Sequence, residues 1–236
     1  MQPYDALSKK HIVAIRGRFR PVTNIFLDML KKGVKQFENE ADVDDDKICI
    51  LSELTLRNLE DGTNQIDEKD FLDRVDILCS LGQTVLISNF HEYFKLVAYL
   101  SQFTKLRMAL IMGMPNLEYI FDETHYKDLP GGIISAFASL FGQKIKLYLY
   151  PTLNEQGEII HLETFETEPH LAGLLTYLKD NEKLEDIQKY DEKLMTIRTD
   201  NVLGMIQHGV GDWEKMVPAS VAKQIKENHL FGYANH

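Results

Sequence analysis

Short aliphatic and β-branched runs alternate with amphipathic stretches along most of the chain. Residues 12–15 (Ile-Val-Ala-Ile), 47–54 (KICILSEL), 84–88 (TVLIS), 108–112 (MALIM) and 144–150 (KIKLYLY) read as strands, apolar on both faces as in a covered sheet. Helical spacing fills the gaps. After 12–15, Arg16-Gly17-Arg18-Phe19-Arg20-Pro21 breaks the pattern. Thr23 or Asn24 then caps a helix with Ile25, Phe26, Met29, Leu30 and Val34 inward. The spacing predicts a helix over 67–81, capped by Asp67 and ended by Gly82, with Phe71, Leu72, Val75, Leu78 and Cys79 inward. Another over 91–103 turns Phe94, Val97, Ala98 and Leu100 inward, a short one runs over 117–121, and Gly131-Gly132 opens one over 133–141. Strictly alternating strands and helices imply right-handed βαβ units. The expected fold is therefore α/β, a doubly wound, five-stranded parallel sheet.

The pattern changes elsewhere. Residues 36–46 are acidic and read as a solvated linker, and 55–65, with Asp61-Gly62, as a polar loop. Residues 152–192 are polar and read as an insertion into a core spanning 1–151, with a hairpin around Asn154-Glu155-Gln156-Gly157 and a helix over 170–179. Residues 193–236 complete the same domain with a short strand (194–197), a helix over 201–208 ended by Gly209, and a helical tail over 218–228.

Composition narrows the function classes. At 236 residues and 44% hydrophobic, the chain supports a packed core of about one large domain. A net charge of −10 argues against nucleic acid as a partner. Cys49 and Cys79 lie in apolar runs and read as small buried hydrophobes of a reducing compartment. No apolar run is long enough to span a bilayer and no leader-like segment opens the sequence, so no membrane partner and a cytoplasmic location are expected.

The strongest chemical signal is the turn after the first strand. Free N–H groups and the helix dipole converge at such a turn and favour an anion. Arg16, Arg18 and Arg20 add positive charge there, against the sign of the whole chain. An ordinary βα connection with solvated arginines fits the same residues. In sheets of this kind ligands sit at the carboxyl ends of the strands, where Gly17, the loop after Leu54, Asn89 and Gly113 would lie. Arg57 and His91 could reach that edge, although both suit solvent as well. Arg74, among Asp70, Asp73 and Asp76, reads as a helix-surface ion pair. Trp213 reads as packing for the last helices. The remaining histidines show no metal-site spacing, and neither a Ser-His-Asp order nor aromatic–basic interleaving is present.

Gly17-Arg18-Phe19-Arg20-Pro21-Val22-Thr23-Asn24-Ile25-Phe26-Leu27 resembles the G-x-F-x-P-x-H/T-x-x-H-L signature of the nucleotidyltransferase superfamily, and in particular the nicotinate and nicotinamide mononucleotide adenylyltransferases. Four further segments follow in the family's order. Asp73 to Leu78 resembles its helix with an arginine before M-L, and Ile111-Met112-Gly113-Met114-Pro115-Asn116-Leu117 resembles its I-G-A-D-N-L turn. The segment from Ile197 to Gly209 falls in the frame of I-S-S-T-x-I-R-x-x-I-x-x-G. Met216-Val217-Pro218 onward, ending Leu230-Phe231-Gly232-Tyr233, resembles L-V-P-x-x-V-x-x-Y-I…L-Y. The resemblance covers most of the chain outside 152–192. It implies a Rossmann-like nucleotidyltransferase core and a place in NAD biosynthesis. The chain also looks like the carboxyl-terminal half of longer bacterial proteins carrying an adenylyltransferase label, which implies an absent amino-terminal partner domain.

The apolar frame is kept while its polar chemistry departs. The motif's last histidine is Phe26, the family arginine falls on Leu203, the serine hydroxyls fall on Arg198 and Thr199, and the G-A-D-N aspartate falls on Pro115. The resemblance implies nucleotide or phosphate contacts at Gly17, Arg18, Phe19, Thr23, Asn24, Gly113, Asn116 and Thr199. It leaves Arg18, Arg20 and Arg198 as substitute charge stabilisers, since guanidinium forks clamp phosphate well. An active site of this type would use ATP and Mg²⁺. With the histidine lost, the expectation is a domain that binds a nucleotide or phosphorylated small molecule with weak or absent catalysis. Its alternative is a non-catalytic regulatory or scaffold domain of a larger bacterial protein, with a homo-oligomer or a partner contact expected.

Overall fold

The structure, a computed structural model, describes residues 2–55, 68–142 and 144–234. Arg57, the loop expected over 55–65 beyond its first residue, the Asp67 cap and His236 lie outside the described residues. A short helix α1 (Pro3–Leu7) precedes β1 (His11–Arg16), α2 (Asn24–Phe37), β2 (Ile48–Thr55), α3 (Glu68–Ser80), β3 (Thr84–Ser88), α4 (Tyr93–Leu100) and β4 (Met108–Gly113). There follow α5 (Met114–Phe121), α6 (Gly132–Phe141), β5 (Ile145–Tyr150), β6 (Thr152–Leu153), β7 (Ile159–Ile160), α7 (Ala172–Asp180), β8 (Leu184–Asp186), α8 (Thr199–His208) and α9 (Ala219–Asn228).

The fold is α/β. Its parallel sheet has six strands in the order β3-β2-β1-β4-β5-β8, one more than the pattern predicts. The extra strand, β8, pairs with β5 through Leu147↔Leu184 and Leu149↔Asp186. Its three residues, Leu-Glu-Asp, are too short and too acidic to register as a buried strand. The hairpin expected near Gly157 is present as β6 against β7, with Gly157 at φ +80°. The strand expected over 194–197 is not formed; a 3-10 turn (Glu192–Leu194) stands there instead.

The chain divides into two compact units, the first comprising Met1–Ile15, Lys32–Ile50 and Phe90–Tyr190. Within it β1, β4, β5 and β8 run in parallel register, Ile15 opposite Ile111 and Ile111 opposite Tyr148. Every residue of β5 is buried, including Lys146, Tyr148 and Tyr150. Lys146 reaches Glu40 at 2.5 Å and Glu185 at 2.8 Å, and the Tyr148 hydroxyl donates to Glu40 at 2.6 Å. Glu40 and Asp42 also pair with Arg107, so the acidic stretch expected to be a solvated linker is partly tied to the sheet. Gly33 lets α2 approach β4 closely, because a Cβ there would collide with Ile111. Tyr93, Leu96, Val97 and Leu100 form the buried face of α4, while Ala98 is exposed.

The second unit comprises Arg16–Lys31, Leu51–Asn89 and Asp191–His236. In it β2 and β3 pair from Leu51↔Thr84 to Thr55↔Ser88. The inner side of α3 departs from the expected apolar stripe: Asp70, Arg74, Ile77 and Leu78 are buried, while Leu72 and Cys79 are exposed. Cys79 is therefore no buried hydrophobe, and Cys49 is only half-buried. Trp213 is buried against Tyr233, ring centroids 5.9 Å apart, with the Lys226 ammonium 5.8 Å from its ring. No helix among the described residues is long and apolar enough to cross a membrane.

Candidate phosphate-binding turn

The turn after β1 is built around a glycine–phenylalanine contact. A Cβ at Gly17 would stand 2.8 Å from the Phe19 ring, so only glycine lets that ring fold back over the backbone. Phe19 takes φ +53°, a left-handed conformation rare for a bulky residue, and is buried. Its ring meets Phe26 edge to face at 5.0 Å. Phe26 therefore occupies the place of the motif histidine as a packing residue. Thr23 is almost fully buried, and its carbonyl accepts the Leu27 N–H in the first turn of α2.

Asn24 is spent on the carboxyl-terminal segment. Its backbone N–H donates to the Met216 carbonyl at 2.8 Å and its side-chain amide to the Lys215 carbonyl at 2.9 Å. One N–H that an anion at this helix start could have used is thereby taken.

The three arginines fall into three environments. Arg16 makes a two-pronged contact with Glu53, Nε to Oε2 at 2.5 Å and Nη2 to Oε1 at 3.0 Å. Glu53 is fully buried, Arg16 nearly so, and Ser88 also donates to Glu53. Planar charge-assisted pairs of this kind are strong and geometrically specific. Arg20 meets Asp70 at 2.8 Å as a charge contact rather than an aligned hydrogen bond. The same Asp70 accepts from Arg74, whose other amine donates to the Arg18 carbonyl at 3.3 Å. Arg74 was expected on the helix surface, yet its side chain is 2% exposed. Burial lowers the Arg74 pKa despite the opposing pull of Asp70. Arg18 differs from both. Its side chain is 63% exposed and, among the described residues, pairs only with the exposed Asp200 of α8, at 3.2 Å.

Arg198 is exposed and immediately precedes α8, which begins at Thr199 with Asp200 in its first turn. Gly17, Arg18, Phe19, Arg20, Thr23, Asn24, Arg198 and Thr199 thus all belong to the second unit. Gly113 and Asn116 belong to the first. There Asn116 accepts from the Tyr93 hydroxyl at 2.8 Å, and a Cβ at Gly113 would make only ordinary contacts. His91 is exposed in that unit, its ring 6.0 Å from Tyr119.

Glu53 and Ser88 are not picked out from sequence, and Asp70 is picked out only as a helix-surface partner of Arg74. Glu53 did carry a signal, as a lone acid in the apolar run ICILSELT. Among the described residues no group of three or more His, Cys, Asp or Glu side chains could hold a metal ion.

No family model and no curated protein matches the sequence. Solved structures do match the fold. One is a Plasmodium falciparum nicotinic acid mononucleotide adenylyltransferase complexed with APC, with TM-score 0.56 and 11% identity over 95% of this chain and 98% of that one. Another is a Vibrio parahaemolyticus protein provisionally described as a nicotinate-nucleotide adenylyltransferase, with TM-score 0.39 and 10% identity over 95% and 97%. The six-stranded sheet gives the chain a Rossmann-like α/β fold, and the first of these likenesses shows that it is similar to the fold of that Plasmodium protein.

Proposed function

We propose that this domain binds a nucleotide or another phosphorylated small molecule at the Gly17 turn, with weak or absent nucleotidyl transfer. Arg18 carries the proposal: it is the most exposed arginine of the turn, and its partner Asp200 is itself exposed and easily displaced. A phosphate between Arg18 and the start of α8 would exchange a weak surface pair for a charge-assisted contact. ATP is the natural ligand to try, by analogy with the adenylyltransferase fold. Mg²⁺ would arrive on the phosphates, since the described residues offer no metal cage of their own.

Transfer is expected to be slow for a physical reason. Phe26 and Leu203 can neither donate a hydrogen bond nor carry charge. Losing two such stabilising groups, at about 3 kcal/mol each, slows a step about 10⁴-fold. Arg20 cannot easily replace them while Asp70 holds it. A pyrophosphate-release assay with ATP, Mg²⁺ and nicotinate or nicotinamide mononucleotide should give no turnover above blank. Release at an ordinary enzymatic rate would overturn the non-catalytic part of the proposal.

A second reading, a regulatory or scaffold domain without nucleotide binding, is favoured by one observation. The charges of Arg16 and Arg20 are matched by Glu53 and Asp70. It expects no heat on titration with ATP and a stable oligomer in light scattering. A role in NAD metabolism stands as part of the first reading only; the second makes the chain a domain of a larger bacterial protein.

A further inference from the structure

Three lysines of this acidic chain line one cleft of about 590 Å³ in the first unit: Lys9, Lys47 and Lys105, beside Tyr4, Phe103 and Thr104. No carboxylate lines it among the described residues. The Thr104 hydroxyl donates to the Lys10 carbonyl at 2.7 Å and accepts the Leu106 N–H at 3.0 Å. That pins the loop entering β4 to the residue before β1, so the cleft lies at the amino ends of these two strands. Ligands of doubly wound sheets sit at the carboxyl ends, so this cleft is a separate place.

Its charges are available. Lys9 is exposed at φ +56° and has no ion-pair or hydrogen-bond partner among the described residues. Lys105 uses one donor on the Ser101 carbonyl, 3.1 Å away, and keeps two. Lys47 pairs with Asp44 at 2.6 Å, but both side chains are about half exposed and water screens the pair. The rings add a second character. Tyr4 is 65% exposed, and Phe103 is braced edge-on against Tyr99 at 5.1 Å.

We infer that this cleft binds a phosphorylated small molecule bearing an aromatic base, with its phosphate among Lys9, Lys47 and Lys105 and its base against Tyr4 and Phe103. Ammonium groups act as point charges for phosphate, and aromatic faces stack on any base. The volume falls within the roughly 300–1,000 Å³ typical of small-ligand sites. The inference does not depend on the Gly17 turn.

Nuclear magnetic resonance titration of the labelled protein with AMP and with inorganic pyrophosphate tests it. Both should shift the amides of Lys9 and of residues 102–106, and Arg18→Ala should leave those shifts unchanged. The triple variant Lys9→Gln/Lys47→Gln/Lys105→Gln should weaken both probes about tenfold. Tyr4→Ala should weaken AMP and leave pyrophosphate unaffected. All four side chains are exposed, so circular dichroism should show each variant folded. The inference fails if neither probe shifts these amides at about 10 mM, if the triple variant binds as the wild type does, or if Tyr4→Ala spares AMP. Tighter binding of hexaglutamate than of AMP would also overturn it, in favour of a protein partner.

Discussion

Phe26 sets its ring edge-on against Phe19, centroids 5.0 Å apart and planes at 79°. The Phe19 ring in turn lies over Gly17, where no Cβ could fit without moving it. Three positions of the signature thus form one apolar stack. The position that resembles a catalytic histidine is used to hold the turn closed.

Substitution at Phe26 should therefore read out as stability. Phe26→Ala is expected to cost about 2–4 kcal/mol in urea denaturation. Phe26→His is expected to cost about 1–3 kcal/mol, and to release no more pyrophosphate than the wild type. If Phe26→His were as stable as the parent and catalytically faster, the packing role assigned to this ring would be wrong.

Asp70 lies between Arg20 and Arg74, and Arg74 is the more deeply buried. Asp70→Asn leaves the Arg74 guanidinium without its counter-charge, a change worth about 3–5 kcal/mol where pairs are buried. Thermal and urea unfolding should both show the loss. Replacing the pair together, as Asp70→Leu/Arg74→Met, should cost less than the single change. A double variant weaker than either single one would mean that the ion pair itself, and not the orphaned charge, sets the energy.

Glu53→Gln separates stability from binding. It removes the fully buried counter-charge of Arg16, with an expected loss of about 3–5 kcal/mol. The same change leaves Arg16 more positive at the carboxyl end of β1, so affinity for an anion at the turn should rise. Equilibrium dialysis with ATP on the folded fraction checks the second effect; a fall in affinity would contradict it.

Acid and base should weaken the first unit through Glu40 and Lys146. Burial opposes the charge on Glu40. Hydrogen bonds from Lys146 and Tyr148, with the charges of Lys146 and Arg107, outweigh it and hold the pKa below the ordinary 4.5. Burial likewise opposes the charge on Lys146, but Glu185 and Glu40 outweigh it and hold the pKa above 10.5. A carboxyl lowered on folding gives stability that is whole above its unfolded value and fades as pH falls through the folded one. An ammonium raised on folding gives stability that is whole below its unfolded value and fades as pH climbs through the folded one. The pair's contribution is thus whole between about pH 4.5 and pH 10.5. Urea midpoints of Glu40→Gln should fall below wild type at neutral pH, and the gap should close on acidification. A gap independent of pH would rule out this linkage.

The alternation of strands and helices was legible because each strand from β1 to β5 carries an aliphatic run, β3 included, although that strand is not covered on both faces and leaves Thr84 and Ile87 exposed. β8 was not, since two of its three residues are acidic and only pairing with β5 makes it a strand. The turn at Gly17 was legible from glycine, proline and the helix behind it. Its electrostatics were not. Apolar spacing put Leu72 and Cys79 inside α3, whereas Asp70 and Arg74 occupy the interior because Arg20 arrives from a distant part of the sequence. The same limit hid Glu53, whose partner Arg16 lies 37 residues away. Hydrophobic periodicity reports which face is greasy, but not which opposite charges meet inside.

Calorimetric titration of ATP into the wild type and into Arg18→Ala bears most directly on the proposal that this turn holds a phosphate. The Arg18 side chain is 63% exposed and pairs with an exposed carboxylate, so its loss should leave the fold intact. The expected result is measurable binding by the wild type that weakens about tenfold or more in the variant, the scale of one charge-assisted contact. Equal affinity in the two proteins, or no binding in either, would contradict the assignment of the Gly17 turn as the phosphate site.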